Sequence, residues 1–328
     1  MTSPGPVRLS VIIPTRNPHP GRLQRTLAGL AAQSLDPGAF EVILIDNGST
    51  PPVTSAALAA HPATRIVREE QPGLTAARRA GFRESRGEVL VLVDDDNVLA
   101  PDYLAIVERG FAADPELGAL GGRVTPDFEQ PPEPWVMEFY GLLALRDHGA
   151  LPLRAAWHRG AKERSYPPFA PIGAGFAVRR ALALDYSTAL DSNAARRALD
   201  RTGTRLVSGG DNDLVMHVLE AGASVGYEPG LALTHLIPVQ RLQRAYLGAL
   251  NRAIARSWVS VLALHGIRPW PPVTPWTVRL RQARAWWRTR AWSGPAAWVR
   301  WQGRCGTFEG QADLARLPAG VPDGNSPG

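Results

Sequence analysis

The sequence predicts an α/β protein built on a mostly parallel, doubly wound sheet flanked by helices. Short β-branched runs alternate with amphipathic helical stretches, a pattern that suits parallel strands joined by right-handed crossovers. The run Val89-Leu-Val-Leu-Val93 is apolar throughout, as in a strand buried on both faces. It leads straight into Asp94-Asp95-Asp96, and ligands of open α/β sheets bind outside the carboxyl ends of the strands. Three adjacent carboxylates repel one another, so a divalent cation or nearby arginines should offset them. The alternative is a solvated acidic turn before the next helix.

In chain order, Leu9-Ser-Val-Ile-Ile13 forms a first strand that ends at Pro14-Thr15-Arg16. Leu23, Leu27, Leu30 and Ala31 recur at helical spacing and predict a helix over 21–34. A second strand over 40–45 ends in Asp46-Asn47-Gly48, where Asn-Gly marks a tight turn. A helix around 53–60, a strand over 64–68 and a helix over 73–86 follow, the last with Thr75 or the preceding loop as its cap. After the acidic strand end come a helix over 101–113 and a strand over 117–124. From 126 to 171 the pattern loosens into a proline-rich stretch with Trp135, Phe139, Tyr140, Trp157 and Tyr166. A long irregular segment inside a compact domain is usually functional. Strand character resumes over 172–178 and runs into Arg179-Arg180, while 187–203 carries no clear signature. Asp211-Asn212-Asp213 starts an apolar-periodic helix, two short strands over 224–227 and 231–235 lead to His235, and a helix spans 241–264.

The 328 residues suffice for one large domain with an appendage, or for two domains, and 45% hydrophobic content supports a full core. A single cysteine, Cys305, excludes an intramolecular disulfide framework and fits a reducing compartment. No secretory signal and no run of about eighteen apolar residues is evident, so a cytoplasmic location is expected. The net charge of +6 is unevenly placed, because twelve arginines and no acid lie between Leu236 and Phe308, leaving the remainder at −6. Eight of the ten tryptophans lie between Trp258 and Trp301. On a helix over 276–292, Trp276, Leu280, Ala283, Trp287 and Ala291 form one stripe bordered by arginines. Segment 276–301 is therefore expected either to meet an anionic membrane surface peripherally or to pack this stripe on the rest of the protein. No nucleic-acid module is recognisable, so no nucleic acid is expected as partner.

The ordered set of motifs resembles glycosyltransferase family 2, the inverting enzymes of GT-A fold, and within it a bacterial polysaccharide-biosynthesis branch. It comprises Ser10-Val-Ile-Ile-Pro14-Thr15, Asp46-Asn-Gly-Ser49, Gly73-Leu-Thr-Ala-Ala-Arg78, Val93-Asp94-Asp95-Asp96, Gly173-Ala174-Gly175 and Gly210-Asp211-Asn-Asp213-Leu214. His235-Leu-Ile-Pro238 with Arg241-Leu242 carries the branch. The resemblance implies a Rossmann-like GT-A domain over 1–240, with a nucleotide-sugar half over 8–124 and an acceptor half over 125–238. A basic helical appendage over 241–310 and an unstructured tail over 311–328 complete the expected organisation.

The resemblance also implies roles. Pro14, Thr15 and Arg16 would shape the base pocket, and Asp46 would accept from the base, a uracil by family default. Arg78 would face base or diphosphate, and Asp94 and Asp95 would lie by the donor nucleotide, with Asp95 capping or solvated. Asp96 and His235 would hold Mg²⁺ or Mn²⁺ against the diphosphate. Gly173, Ala174, Gly175, Asp213 and Trp135 would border donor sugar and acceptor, with 126–171 as an acceptor lid. Asp211 would be the general base, and Asp213 competes for that role. The acceptor would be a carbohydrate, a lipid-linked sugar or a small molecule. Gly210 departs from the family, which places Glu there. That departure keeps open a catalytically silent nucleotide-sugar-binding scaffold. A nucleotidyltransferase is disfavoured, because no Gly-rich, Lys-containing triphosphate loop is present. Simpler roles stand beside these: a turn cap for Asp46, a solvated site for Arg78, helix capping for Asp211 and Asp213, and a structural histidine at 235.

Overall fold

The computed structural model describes residues 7–157, 164–199, 206–271 and 273–315. Among them, nine strands form one sheet. Numbered in chain order, its path runs β3 (Arg65–Arg68), β2 (Phe40–Asp46), β1 (Leu9–Thr15), β4 (Val89–Leu92), β8 (Phe176–Arg179), β6 (Leu117–Phe128), β9 (Ser224–Ile237) and β5 (Asn97–Leu99). Strand β7 (Leu153–Ala155) also pairs with β9. Strands β3, β2, β1 and β4 are parallel, as expected for a doubly wound half. Beyond β4 the sheet is mixed: β8 is antiparallel to both β4 and β6, whereas β6 and β9 are parallel. The sheet is thus parallel throughout its first half and mixed beyond it, with parallel pairing again between β6 and β9.

Alternation along the buried strands explains the layers. Val11 and Ile13 of β1, with Val89 and Val91 of β4, point to one face and meet Leu23, Leu27 and Leu30 of α1 (Pro20–Ala31). Leu104, Val107 and Phe111 of α3 (Tyr103–Ala113) join the same core. Ile12, Leu90 and Leu92 point to the other face, against Ala77, Ala80 and Phe82 of α2 (Leu74–Glu84). Ala183 and Leu190 of α4 (Arg180–Ser192) and Leu214, Val215 and Val218 of α6 (Gly210–Glu220) complete that layer, while α5 (Ala194–Arg197) lies between them. A period of two with both sides apolar is what a strand covered on both faces requires.

Several elements differ from expectation. Strand β5 follows the acidic triplet directly and pairs Asn97 with His235, a three-residue strand too short to show in a periodicity. The two strands expected over 224–235 are one strand, because a bulge at Gly122/Arg123 absorbs Pro229-Gly230-Leu231 without breaking the pairing. Strand β6 runs through the boundary drawn at Val124 and reaches Phe128. The proline-rich stretch is more ordered than a free lid, since a 3₁₀ run over Pro134–Leu143 buries Val136, Phe139 and Leu143 in the core and β7 joins the sheet. Helix α2 takes Gly73 as its N-cap, so of the two caps expected it is the preceding loop and not Thr75 that starts the helix.

The appendage consists of α7 (Arg244–Leu264), α8 (Val278–Thr289) and α9 (Pro295–Leu314). Residues 311–314, expected in an unstructured tail, belong to α9, which continues to Leu314, and the rest of that expectation, over 316–328, lies outside the described residues. Helices α7 and α9 lie backbone to backbone. A Cβ on Gly306 would stand 2.0 Å from the Arg252 carbonyl oxygen, and one on Gly310 would stand 2.8 Å from the Arg256 carbonyl oxygen. Trp298 of α9 fills the space over Gly248 of α7, and Asn251 Nδ2 donates to the Val299 carbonyl at 2.9 Å. Gly306→Ala separates two effects of opposite sign. Helix propensity alone would stabilise the chain by about 1 kcal/mol, whereas overpacking against a backbone atom costs about 1–3 kcal/mol. The expected outcome is a lower melting temperature with helix content retained by circular dichroism.

Asp213 is fully buried and belongs to this scaffold rather than to a ligand site, which corrects its expected place beside donor sugar or acceptor. Its carboxylate accepts from Tyr186 Oη at 2.8 Å and from His265 Nε2 at 2.8 Å, and Arg196 lies 3.5 Å away. His265 Nδ1 stands 2.9 Å from Glu220 Oε1. Burial opposes a charged imidazole, but the carboxylates of Asp213 and Glu220 outweigh it and raise the His265 pKa above its usual 6.5. This pairing therefore stabilises the fold fully below pH about 6.5 and is lost as pH rises through the raised value. In His265→Gln, denaturant unfolding should show lower stability at mildly acidic pH. Its decline toward alkaline pH should be shallower than in the wild type.

Candidate active site

The carboxyl ends of β1 and β4 and the start of α6 open onto one cleft of about 700 Å³. Pro14, Thr15, Arg16, Asn47, Arg78, Asp94–Asp96, Gly173, Ala174, Asp211, His235 and Arg241 all line it. Strand pairing explains the convergence. Thr15 ends β1 beside Asp46 of β2, Val93 N–H donates to the Ile12 carbonyl, and Gly175 N–H donates to the Leu92 carbonyl. Leu236 N–H donates to the Asp96 carbonyl, so the β5–β9 pairing brings His235 beside the triplet.

The three acids have different surroundings. Burial and the neighbouring Asp96 raise the pKa of Asp94, and the Arg78 guanidinium offsets part of that. Burial and Asp96 likewise push Asp95 up to about 6, although the Thr15 hydroxyl donates to its carboxylate. Asp95 is thus engaged in the cleft wall, not a solvated spare. Burial works against ionised Asp96 as well, but its neighbours, the Arg241 guanidinium among them, outweigh it and hold the carboxyl below the usual range. Arg241 Nη2 lies 3.2 Å from Asp96 Oδ2, and His235 Nε2 lies 3.5 Å from Asp96 Oδ1.

His235 Nδ1 faces the Leu143 carbonyl at 2.9 Å, and a carbonyl accepts, so Nδ1 carries the proton. Its Nε2 therefore holds a lone pair, which accepts from Arg241 Nη1 at 3.0 Å. A proton fixed on one nitrogen by a backbone carbonyl is how a metal-binding imidazole is commonly oriented. The donor types suit Mg²⁺ or Mn²⁺: carboxylates whose raised pKa values a cation would relieve, and a neutral imidazole nitrogen. Among the described residues, however, no group of three His, Cys, Asp or Glu side chains is arranged to hold an ion. Arg241 fills the place between Asp96 and His235 and must shift for both to face a cation.

In the same cleft, Arg78 Nη1 pairs with Asp211 Oδ1 at 2.5 Å, and Gly173 N–H donates to Asp211 Oδ2 at 2.9 Å. Arg78 is buried, which removes the solvated-helix reading, and the pairing fixes the Asp211 carboxylate at the cleft surface. A Cβ on Gly173 would come within 2.6 Å of both Arg78 Nη2 and Asp211 Oδ2, so the ion pair needs glycine there. Gly175 plays a supporting part: its φ is +74°, and its carbonyl accepts from the buried Tyr103 hydroxyl.

Asp46 and Trp135, like Asp213 and Gly175, are not among the cleft residues. Asp46 is buried, accepting from the Ser49 and Val53 amides at 3.0 Å each and from Arg68 Nη1 at 2.7 Å. Burial would raise its pKa, but those donors hold it low, as a turn cap requires. The neighbouring Asn47 lines the cleft instead and ties the loop to α2, with Gly73 N–H donating to its Oδ1 at 2.8 Å. Trp135 is not among the cleft residues. It stacks edge-on against Phe139, and its indole donates to Glu133 at 2.8 Å. The aromatic walls are Tyr166, Tyr246 and Trp258. Tyr246, Leu250, Ile254 and Trp258 recur every fourth residue on α7, a signal that points to one lining face. Arg146, a further cleft cation, sits in the irregular stretch and carried no sequence signal; its Nη1 donates to the Ala170 carbonyl at 2.7 Å.

Comparison with known proteins places this geometry. An N-acetylglucosaminyltransferase of Bradyrhizobium elkanii is 32% identical over 123 residues, covering 35% of this chain and 65% of the relative. The succinoglycan biosynthesis protein ExoW of Rhizobium meliloti is 34% identical over 103 residues, 30% of this chain and 32% of the relative. A glucosyl-dolichyl phosphate glucuronosyltransferase of Haloferax volcanii is 30% identical over 82 residues, 25% of this chain and 26% of the relative. The chain thus spans less than two thirds of the length of these relatives. The family profile described as Glycosyl transferase family 2 matches residues 10–186, more than half of the sequence, and the chain belongs to that family.

Proposed function

We propose that this protein transfers a glycosyl group from a nucleoside-diphosphate sugar to an acceptor hydroxyl with inversion at the anomeric carbon. The observation that carries the reading is Asp211, held by Arg78 and Gly173 in the same cleft as the acidic strand end, His235 and Arg241. Pro14, Thr15 and Asn47 form the wall on the nucleotide side, with a uridine nucleotide as the expected donor. Asp211 takes the proton from the acceptor hydroxyl as its oxygen attacks the anomeric carbon. The diphosphate leaves from the opposite side, beside Asp94, Asp96 and Arg241. Attack opposite the leaving group inverts the configuration.

Asp96 and His235 would hold Mg²⁺ or Mn²⁺, with Asp94 nearby. The ion, when bound, neutralises charge developing on the departing diphosphate. Arg241 supplies a cation at the same place and is suited to follow the diphosphate. A carbohydrate, a lipid-linked sugar or a small molecule fits as acceptor, since the relatives' names include polysaccharide synthesis and a dolichyl-phosphate-linked substrate. Gly210 in place of the family's Glu favours a second reading, a donor-binding scaffold without turnover. A panel of nucleotide sugars with Mn²⁺, followed by nucleoside-diphosphate release and by thermal shift, separates the two.

Asp211→Asn should lower transfer by about 10²–10⁴-fold and keep the donor-induced rise in melting temperature. Unchanged transfer would remove Asp211 as the base. Asp96→Ala should abolish the Mn²⁺-dependent part of donor binding in calorimetry, and donor affinity that still responds to Mn²⁺ would place the ion elsewhere.

A further inference from the structure

We propose that the outer face of α8 is a docking surface for an anionic membrane. The tryptophan-rich segment divides into an inner and an outer set. Inside, Trp286 packs edge-on against Trp301 at 4.8 Å, the Trp301 indole donates to the Gln282 carbonyl at 3.0 Å, and Ala285 is buried. Trp298 packs over Gly248 with the Arg244 guanidinium 5.1 Å from its ring. Outside, Trp276 is 81% exposed, Leu280 54%, Trp287 70% and Trp292 53%. Trp276, Leu280 and Trp287, with the exposed Ala283, are positions of the predicted stripe, so the stripe faces outward and does not pack on the domain; Ala291 alone turns inward, and Trp292, outside the stripe, adds to the exposed face.

The arginines divide in the same way. Arg241 pairs with Asp96, Arg252 with Glu309, Arg256 with Asp313 and Arg300 with Glu138. Arg279, Arg281, Arg284, Arg288 and Arg290 are exposed on α8 and its C-cap, and among the described residues none is paired with a carboxylate. At 100° per residue, Leu280, Ala283 and Trp287 form one edge of the outer face, with Arg284, Arg288 and Arg281 beside it.

A patch that is aromatic and apolar along one line and cationic along the next matches the interface of a bilayer. Indoles sit at headgroup level, and guanidinium groups on flexible stems reach lipid phosphates. The twelve residues of α8 span about 18 Å, suited to lying in the surface plane, and among the described residues no helix is long and apolar enough to cross a membrane. A second copy is the poorer occupant, because self-association through this face sets arginines against arginines. The surface goes beyond the transfer reaction and does not depend on it.

The test is co-sedimentation of the full chain with phosphatidylcholine vesicles, with and without phosphatidylglycerol. Binding is expected to the anionic vesicles and to fall with added salt. The double variant R284E/R288E should bind about 30-fold more weakly or worse, and W276S/L280S should lose quenching of tryptophan fluorescence by brominated lipid. Both variants should keep the wild-type melting temperature, since the altered side chains are exposed. Absence of binding by the folded wild type at low salt overturns the proposal, as does undiminished binding by R284E/R288E. A dimer that W276S/L280S dissociates would identify a second copy as the occupant. Tighter binding to single-stranded nucleic acid than to vesicles would identify that partner instead.

Discussion

The structure depends on balancing the negative charge at the carboxyl end of β4. Asp94, Asp95 and Asp96 follow a strand with no exposed face, so their carboxylates have little water to share the charge. Compensation comes from far along the chain. Arg78 arrives on α2, His235 on β9 and Arg241 on the turn after it. Each of the three is fixed by a separate contact, so the acidic end is a meeting point of both halves of the sheet. The same balance explains why the acids differ among themselves: Asp96 has cationic company within 3.2 Å, whereas Asp94 and Asp95 both feel the charge of Asp96, offset in part by Arg78 at Asp94 and by the Thr15 hydroxyl at Asp95.

Much of this was legible in the sequence because it is carried by contiguous runs. A buried parallel strand writes itself as an unbroken apolar stretch, and its end is marked wherever a polar residue interrupts, as at Thr15, Asp46 and Asp94. The paired roles of Asp211 and Asp213 were not legible. Both sit in the first turn of α6, and either suits a helix N-terminus. Two steps along a helix turn a side chain by about 200°, so one acid faces the cleft and the other faces the core. The sequence states the spacing but not which face is which, and His265, the partner that decides it, lies 52 positions later.

Aromatic residues show the same limit. Trp135 and Trp258 are equally suited by composition to stack on a sugar, and proximity to the irregular stretch favoured the first. The structure places Trp258 in the cleft through its helix, four residues after Ile254 and edge-on to Tyr166 at 5.0 Å. Periodicity on a long helix is a stronger guide to a lining face than membership of a loosely patterned segment. Asp46 shows the reverse case, where a motif residue lies one position away from the side chain that reaches the cleft.

The glycines of α9 have a further consequence. By letting α9 lie directly on the backbone of α7, they make the C-terminal helix the outer brace of a wall whose inner side is Tyr246, Leu250, Ile254 and Trp258. The basic aromatic segment is thus built into the cleft at its root and free at its rim. Its outward residues are open to exchange during evolution without disturbing the cavity, whereas shortening the chain before Pro295 would leave α7 unsupported and the cavity without a side.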